Sequence, residues 1–286
     1  MTTSLLWRCA NHLFDLADRT LIMGILNVTP DSFSDGGRYN NLDSAFNRAI
    51  QMQEQGADII DIGGESTRPG AAQVSEREEL ERVIPVIKKC RTHLHIPMSI
   101  DTYKATVAEH ALAAGAVIVN DISGCRFDAR MPHVVNQYQA GLVIMHIKGE
   151  PKNMQVNPFY KDLFDELIKY FEKSIRIARA AGVTEEQIVI DPGIGFGKRL
   201  KDNFQLLREL RIFEKFGRPI LVGPSRKSFI GRLLDLPEEK RLEGSIAAVT
   251  AAILNGAHIV RVHDVQEIKR AVTIADAIAG KINVGD

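Results

Sequence analysis

Short runs rich in Val, Ile and Leu recur along the chain, at residues 21–26, 58–62, 97–100, 117–119, 142–145, 188–190, 220–222 and 258–262. Each gives way to polar residues. The runs are continuous rather than alternating, which marks strands buried on both faces of a parallel sheet. The pattern is clearest at IVIDPGIGFGK (188–198). An apolar β-branched run there stops on Asp191, and Pro192, Gly193, Gly195 and Gly197 break the strand. A charge placed this way sits at a sheet edge, where a ligand can reach it. Between the runs lie amphipathic helical patterns at 42–55, 75–91, 102–114, 129–139, 162–181, 203–216, 242–255 and 265–279. Ser75 followed by Glu78 reads as a capping box. Gly56, Gly115, Gly141, Gly182, Gly217 and Gly256 precede the next strand, where a left-handed helix cap is wanted. Residues 4–20 suggest a short hairpin or capping segment.

Eight βα units fit a (β/α)8 TIM barrel, here one α/β domain over 1–286 with 1–20 as its N-terminal cap. An open doubly wound sheet would place one dominant Gly-rich fingerprint after the first strand. Here polar residues follow every strand instead. The composition agrees: 286 residues, 45% hydrophobic, are enough for one such barrel. Lys+Arg and Asp+Glu are both 36, which leaves no electrostatic footprint for nucleic acid or an anionic membrane. Cys9, Cys90 and Cys125 are scattered, as in a reducing compartment. The N-terminal stretch lacks a signal-peptide pattern and no run of 18 apolar residues occurs, so a cytoplasmic protein is expected.

Active sites of such barrels lie at the C-terminal strand ends. Those ends carry Asn27, Asp61, Asp101, Asn120-Asp121, His146, Asp191, Ser225-Arg226-Lys227-Ser228 and Arg261-Val262-His263-Asp264. Two long loops, 28–41 and 63–74, could close over them. The carboxylates lack metal-motif spacing. Asp101, Asn120 and Asp191 suit a flat ligand with a row of N–H donors, because a carboxylate accepts two parallel N–H bonds from such an edge. Lys227 suits a carbonyl or ring nitrogen of the same ligand. Asn27, Arg261 and His263 look like an anion site of the kind a leaving phosphate or diphosphate needs, often shared with Mg²⁺. Plainer roles stand beside these. A strand-end Asp is commonly a cap or turn former, and Asp61 and Asp121 are open between the two roles. His146 is open between a ligand and a satisfied core histidine. Met145 and Phe196 read as pocket walls.

With these residues in order, the chain resembles the dihydropteroate synthase family from about residue 21 onward. The motifs are MGILNVTPDSFSDGG (23–37), DIGGESTRPGA (61–71), SIDT (99–102), NDISG (120–124), MHIKGEPKNMQ (145–155), DPGIGFGK (191–198), GPSRKSFIG (223–231) and RVHD (261–264). The family joins p-aminobenzoate to 6-hydroxymethyl-7,8-dihydropterin diphosphate. The resemblance implies that Asp101, Asn120, Asp191 and Lys227 hold the pterin, with Ile122, Met145 and Phe196 along its faces. Asn27, Arg261 and His263 would hold the diphosphate, Asn27 with Mg²⁺. Phe33, Thr67, Arg68, Pro69 and Ser228 would form the p-aminobenzoate pocket, and Asp35 would lie over the reacting centre. It also implies a homodimer. Ile147, Lys148 and Asn153 vary from the family pattern in the loop after the fifth strand. A pterin-dependent corrinoid methyltransferase would share the barrel and the aspartates but has no use for STRPGA or SRKSF. An inactive pterin-binding subunit would be expected to lack some of Asn27, Arg68, Lys227, Arg261 and His263, and all are present. An unrelated phosphate-binding barrel leaves Asp101, Asn120 and Asp191 together unexplained.

Overall fold

A computed structural model describes residues 5–29, 38–67, 70–71, 73–282 and 285, with 38–41 described by backbone alone. Strands β3 (Leu21–Asn27), β4 (Ile59–Gly63), β5 (Met98–Asp101), β6 (Ile118–Asp121), β7 (Gly141–Met145), β8 (Ile188–Asp191), β9 (Leu221–Val222) and β10 (Ile259–Val262) form one parallel sheet. Its order is β8-β7-β6-β5-β4-β3-β10-β9. A parallel bridge between Ile190 and Ile220, with Ile190 N–H donating to Pro219 O at 3.0 Å, joins the two ends and closes the barrel.

Helices α1 (Arg38–Glu54), α2 (Glu76–Arg91), α3 (Ala105–Ala114), α4 (Met131–Gln137), α5 (Leu163–Ala180), α6 (Leu200–Arg208), α7 (Ser228–Leu234), α8 (Leu242–Leu254) and α9 (Val265–Ile278) follow the strands. Ser75 caps α2 as expected, its hydroxyl accepting from Glu78 N. Two expectations change. The helix expected over 203–216 is α6 followed by a 3₁₀ stretch, Leu210–Phe216, because Glu209 leaves the helical conformation at φ −111°, ψ 28°. Helix α7 is an extra helix of seven residues inserted after β9.

Alternation along each strand sorts the side chains. Outward residues such as Ile22, Ile60, Ile100, Val119, Ile144, Ile190 and Val260 pack in the shell between strands and helices. Inward residues Leu21, Met23, Ile59, Ile118, Val143, Val189, Leu221 and Ile259 fill the lower barrel, as in the layered interiors of this fold. A two-stranded antiparallel hairpin, β1 (Leu6–Cys9) and β2 (His12–Asp15), plugs the bottom, as residues 4–20 suggested. Its Trp7 is fully buried and donates Nε1–H to Gln187 O at 3.0 Å.

This plug corrects the expectation for Gly141. It is not a left-handed cap but the first residue of β7, and Gln139 takes the left-handed position instead at φ 51°. A Cβ on Gly141 would lie 2.4 Å from Cys9 Sγ and 3.1 Å from Trp7 Nε1. The glycine is there to let the hairpin approach.

Candidate active site

The inward alternation that fills the lower barrel with apolar residues continues upward into polar ones. Two residues beyond Ile59 comes Asp61, and two beyond Ser99 comes Asp101. Asn120, Asp191 and Arg261 stand likewise two beyond Ile118, Val189 and Ile259. One layer of the cylinder therefore collects side chains from five strands.

Arg261 organises that layer. Its Nε donates to Asp61 Oδ2 and one terminal nitrogen donates to Asp101 Oδ2, both at 2.6 Å. Asn120 Nδ2 donates to the same Asp61 oxygen at 2.9 Å. Asp61 is fully buried and is no turn former: its Oδ2 anchors Arg261 and Asn120, and its Oδ1 has no hydrogen-bond partner. Burial opposes the Arg261 charge, but Asp61 and Asp101 more than offset it and hold its pKa above the ordinary value. Burial pushes the Asp101 carboxyl up to about 7; Arg261 pulls it down and Asp61 pushes it up. Asp101 Oδ1 is buried without a hydrogen-bond partner. An acceptor held this way is costly unless something with an N–H or O–H meets it.

Asp191 lies on the opposite wall. Its Oδ1 accepts from Gly193 N at 2.7 Å. Burial raises its pKa to about 6, against the lowering effects of that N–H, Lys198 and Lys227. The glycines after it serve close approach. A Cβ on Gly193, at φ 70°, would lie 2.0 Å from His146 O, and one on Gly195, at φ 82°, would press on Lys227 Cδ at 3.3 Å. Lys227 thus runs along this loop, with Nζ 4.2 Å from the Phe196 ring centre. Ile122, Met145 and Phe196 are buried in one cluster with Tyr103, Ile147 and Met154, and they wall a narrow slot that also touches Asp101, Asn120, Asp191 and Lys227.

A cavity of about 330 Å³ adjoins the slot and is lined by Asn27, Thr67, Ser225, Ser228, Arg261 and His263, among others. The Asn27, Thr67, Ser228, Arg261 and His263 singled out from sequence therefore converge. Within the anion site read from the sequence, His263 is not a second cation beside Arg261. Burial, then Arg261, Arg226 and Lys227, lower its pKa to about 3, so it is a neutral imidazole at pH 7. Its Nδ1 lies 3.1 Å from Ser225 Oγ, and its carbonyl accepts from Arg48 at 2.9 Å. Phe33, Asp35, Arg68 and Pro69 lie outside the described residues.

Sequence reasoning missed Lys198. Its buried ammonium sits 3.0 Å from His146 Nδ1 and donates to Phe196 O at 3.1 Å. Burial pulls its pKa down to about 7, while Asp191 and Asp202 push it up. His146 is accordingly a satisfied core histidine, stacked edge-on against Tyr170. Asp121 is a turn former, accepting from Ser123 N and Oγ and from Cys125 N. Arg226 was also undervalued. Its backbone is left-handed at φ 55°. Ser245 Oγ accepts from its N–H at 2.9 Å, Arg241 donates to its carbonyl at 3.0 Å, and its guanidinium is paired with Asp264. Strain over-determined in this way fixes where the next residue, Lys227, points.

Carboxylates and an amide meet Lys227 and Arg261 in one slot, and Arg261 and Lys227 also reach the cavity beside it, at the mouth of a closed barrel. The family model of pterin-binding enzymes matches residues 23–263, and the chain belongs to that class. A dihydropteroate synthase from Synechocystis is 52% identical over 267 residues, covering 93% of this chain and 92% of the relative. A Clostridium difficile dihydropteroate synthase, solved in the presence of pteroic acid, superposes with a TM-score of 0.88 at 52% identity, covering 93% of this chain and 98% of that one. The Xanthomonas albilineans dihydropteroate synthase solved with 4-aminobenzoic acid gives a TM-score of 0.90 at 42% identity, covering 96% and 98%. Within the pterin-binding enzymes, this chain belongs to the dihydropteroate synthase family.

Proposed function

We propose that the protein condenses 6-hydroxymethyl-7,8-dihydropterin diphosphate with p-aminobenzoate, giving 7,8-dihydropteroate and diphosphate. The residue-level observation that carries this reading is the unmet acceptor of Asp101, buried in the same slot as Asp191 and Asn120. A pterin edge supplies the N–H donors such a set lacks. Asp101, Asn120, Asp191 and Lys227 hold the ring, while Ile122, Met145 and Phe196 cover its faces. Arg261, His263 and Asn27 receive the diphosphate, His263 as a neutral N–H donor. Thr67 and Ser228, together with Phe33, Arg68 and Pro69, bind p-aminobenzoate, and Asp35 covers the reacting carbon.

The chemistry is a substitution at the pterin methylene. The C–O bond breaks and its electron pair leaves with the diphosphate. The neutral aryl amine supplies the pair for the new C–N bond and gives up a proton to solvent. Asp101 stabilises positive charge that develops on the ring, and Arg261 stabilises the departing anion. The walls hold the two reactants in line.

Among the described residues there is no cluster of three or more His, Cys, Asp or Glu side chains able to cage a metal. The Asn27 side chain offers one hard oxygen beside the diphosphate site, which suits Mg²⁺, an ion usually held by few protein oxygens and completed by substrate phosphates and water. When bound, Mg²⁺ supplies charge neutralisation to the leaving group.

We further propose that the protein works as a homodimer in the cytoplasm. Leu233 and Leu234 on α7 and Ile274 and Ile278 on α9 are exposed apolar residues that a second copy would cover. All three cysteines are free and buried. No helix among the described residues is long and apolar enough to cross a membrane.

The test is diphosphate release from the pterin diphosphate with and without p-aminobenzoate. Release that depends on the amine, with a matching amount of dihydropteroate, is expected. Release indifferent to the amine would overturn the proposal.

A further inference from the structure

The turn between β5 and α3 does two jobs at once. Asp101 faces the pterin slot, while Tyr103 and Lys104, just beyond it, face the loop at 63–74. The Lys104 ammonium uses all three of its hydrogens. It donates to Glu65 Oε2 at the start of that loop, to Val74 O at its end at 2.6 Å, and to Glu79 Oε2 of α2 at 2.6 Å. Tyr103 repeats the pattern: its hydroxyl donates to Glu65 Oε1 at 2.8 Å and accepts from Gln73 Nε2 at 3.2 Å. Arg82 adds a donation to Gly64 O at 2.7 Å. The Glu65, Glu79 and Lys104 side chains are 7%, 1% and 11% exposed, so this network is shielded and its bonds are worth more than surface ion pairs. Burial raises the Glu79 pKa, which Lys104 opposes. Two residues past Glu65 comes Thr67, which lines both the slot and the adjoining cavity.

We propose that Lys104 is a positioning residue for the p-aminobenzoate subsite, clamping both ends of the loop at 65–74 to the turn that carries Asp101, with Tyr103 as its second fastening. This rests on the reading that Thr67 belongs to the p-aminobenzoate pocket. A lysine is needed because its compact ammonium sends three donors to three converging segments, which the planar fork of arginine does not.

The test compares Lys104→Met, Lys104→Arg and Tyr103→Phe with wild type. The measurements are the KM values for p-aminobenzoate and for pterin diphosphate, calorimetric affinity for pterin diphosphate alone, and hydrogen exchange at Ser66 and Thr67. In Lys104→Met the KM for p-aminobenzoate is expected to rise about tenfold to a hundredfold, the range for a lost charged hydrogen bond. Pterin diphosphate affinity should stay within about twofold, and exchange at Ser66 and Thr67 should quicken about tenfold or more, for the same lost bonds. Lys104→Arg should recover part of the loss.

Equal losses for both substrates would indicate a general structural role and overturn the proposal, as would unchanged exchange. Should Lys104→Met fail to fold, Tyr103→Phe decides, since it leaves the ion triad intact. It should raise the p-aminobenzoate KM about twofold to tenfold, as for a neutral hydrogen bond, with faster exchange at Ser66 and Thr67. If wild type does not consume p-aminobenzoate at all, the functional reading fails, and exchange alone judges the clamp.

Discussion

Asp191→Asn should stabilise the fold while weakening the site. Burial lifts the Asp191 pKa from its ordinary 3.8 to about 6, even after the help of Gly193 N–H, Lys198 and Lys227. The folded value lies above the unfolded one. The associated stability is therefore fully present below about pH 4 and lost as pH rises through about 6. That rise withholds about 3 kcal/mol from the native state at neutral pH. An amide is not subject to this penalty and can still accept from Gly193. Spread over the unfolding entropy of a chain this size, about 3 kcal/mol is a rise of about 5 °C in Tm. The same exchange turns a charged acceptor into a neutral one, so pterin affinity should fall about tenfold to a hundredfold. Differential scanning calorimetry at pH 7.5 and pH 4.5, with titration of a pterin ligand, reads both effects. The gain in Tm should shrink at the lower pH, where wild type already carries the proton. A variant that melts earlier than wild type at pH 7.5 would show that the carboxylate is net stabilising through its cations, and would refute the reasoning.

Arg261→Gln and His263→Gln should separate charge from hydrogen bonding in diphosphate binding. His263 is neutral and its loss should cost at most about tenfold in affinity, whereas loss of Arg261 should cost more than about a hundredfold and destabilise the fold by leaving Asp61 and Asp101 unpaired. Isothermal titration with diphosphate and Mg²⁺ checks this, and equal losses would contradict it. Lys227→Met should lower kcat/KM by about a hundredfold, as expected for a charged bond at the reacting ligand; steady-state rates near wild type would remove Lys227 from that role. Gly141→Ala should destabilise the fold by about 1–3 kcal/mol through overpacking against Cys9 and Trp7, read as a lower denaturation midpoint with the slope of the transition unchanged. A neutral result would mean the hairpin is not seated as described.

The barrel was legible because both of its signals are local. Apolar runs mark buried strands, and the residue that ends each run shows which polar group the sheet presents. Asp101, Asn120, Asp191 and Arg261 were placed at the barrel mouth that way, and which ligand each meets was implied by the resemblance of the motifs. What stayed hidden depends on closure. Asp61 acquires its role only when β10 comes round to lie beside β3 and next but one to β4, which brings Arg261 to it from 200 residues away. Lys198 looks like the polar end of a glycine loop, and only the convergence of His146, Asp191 and Asp202 shows a buried ammonium. Lys104 looks like an ordinary first residue of a helix until the loop at 63–74 is folded onto it. The cap expected at Gly141 failed for the same reason, since the hairpin pressing on it arrives from the far end of the chain.

The cavity beside the slot is lined by Arg226, Lys227, Arg241 and Arg261 against Asp101 and Glu238, and part of that positive charge is already engaged, Arg261 with Asp101 and Arg226 with Asp264. An anionic guest that drew the Arg261 guanidinium away from Asp101 would free that carboxylate's second oxygen for the guest's other end. Departure of the anionic half would then return Arg261 to Asp101 and loosen the half that remains.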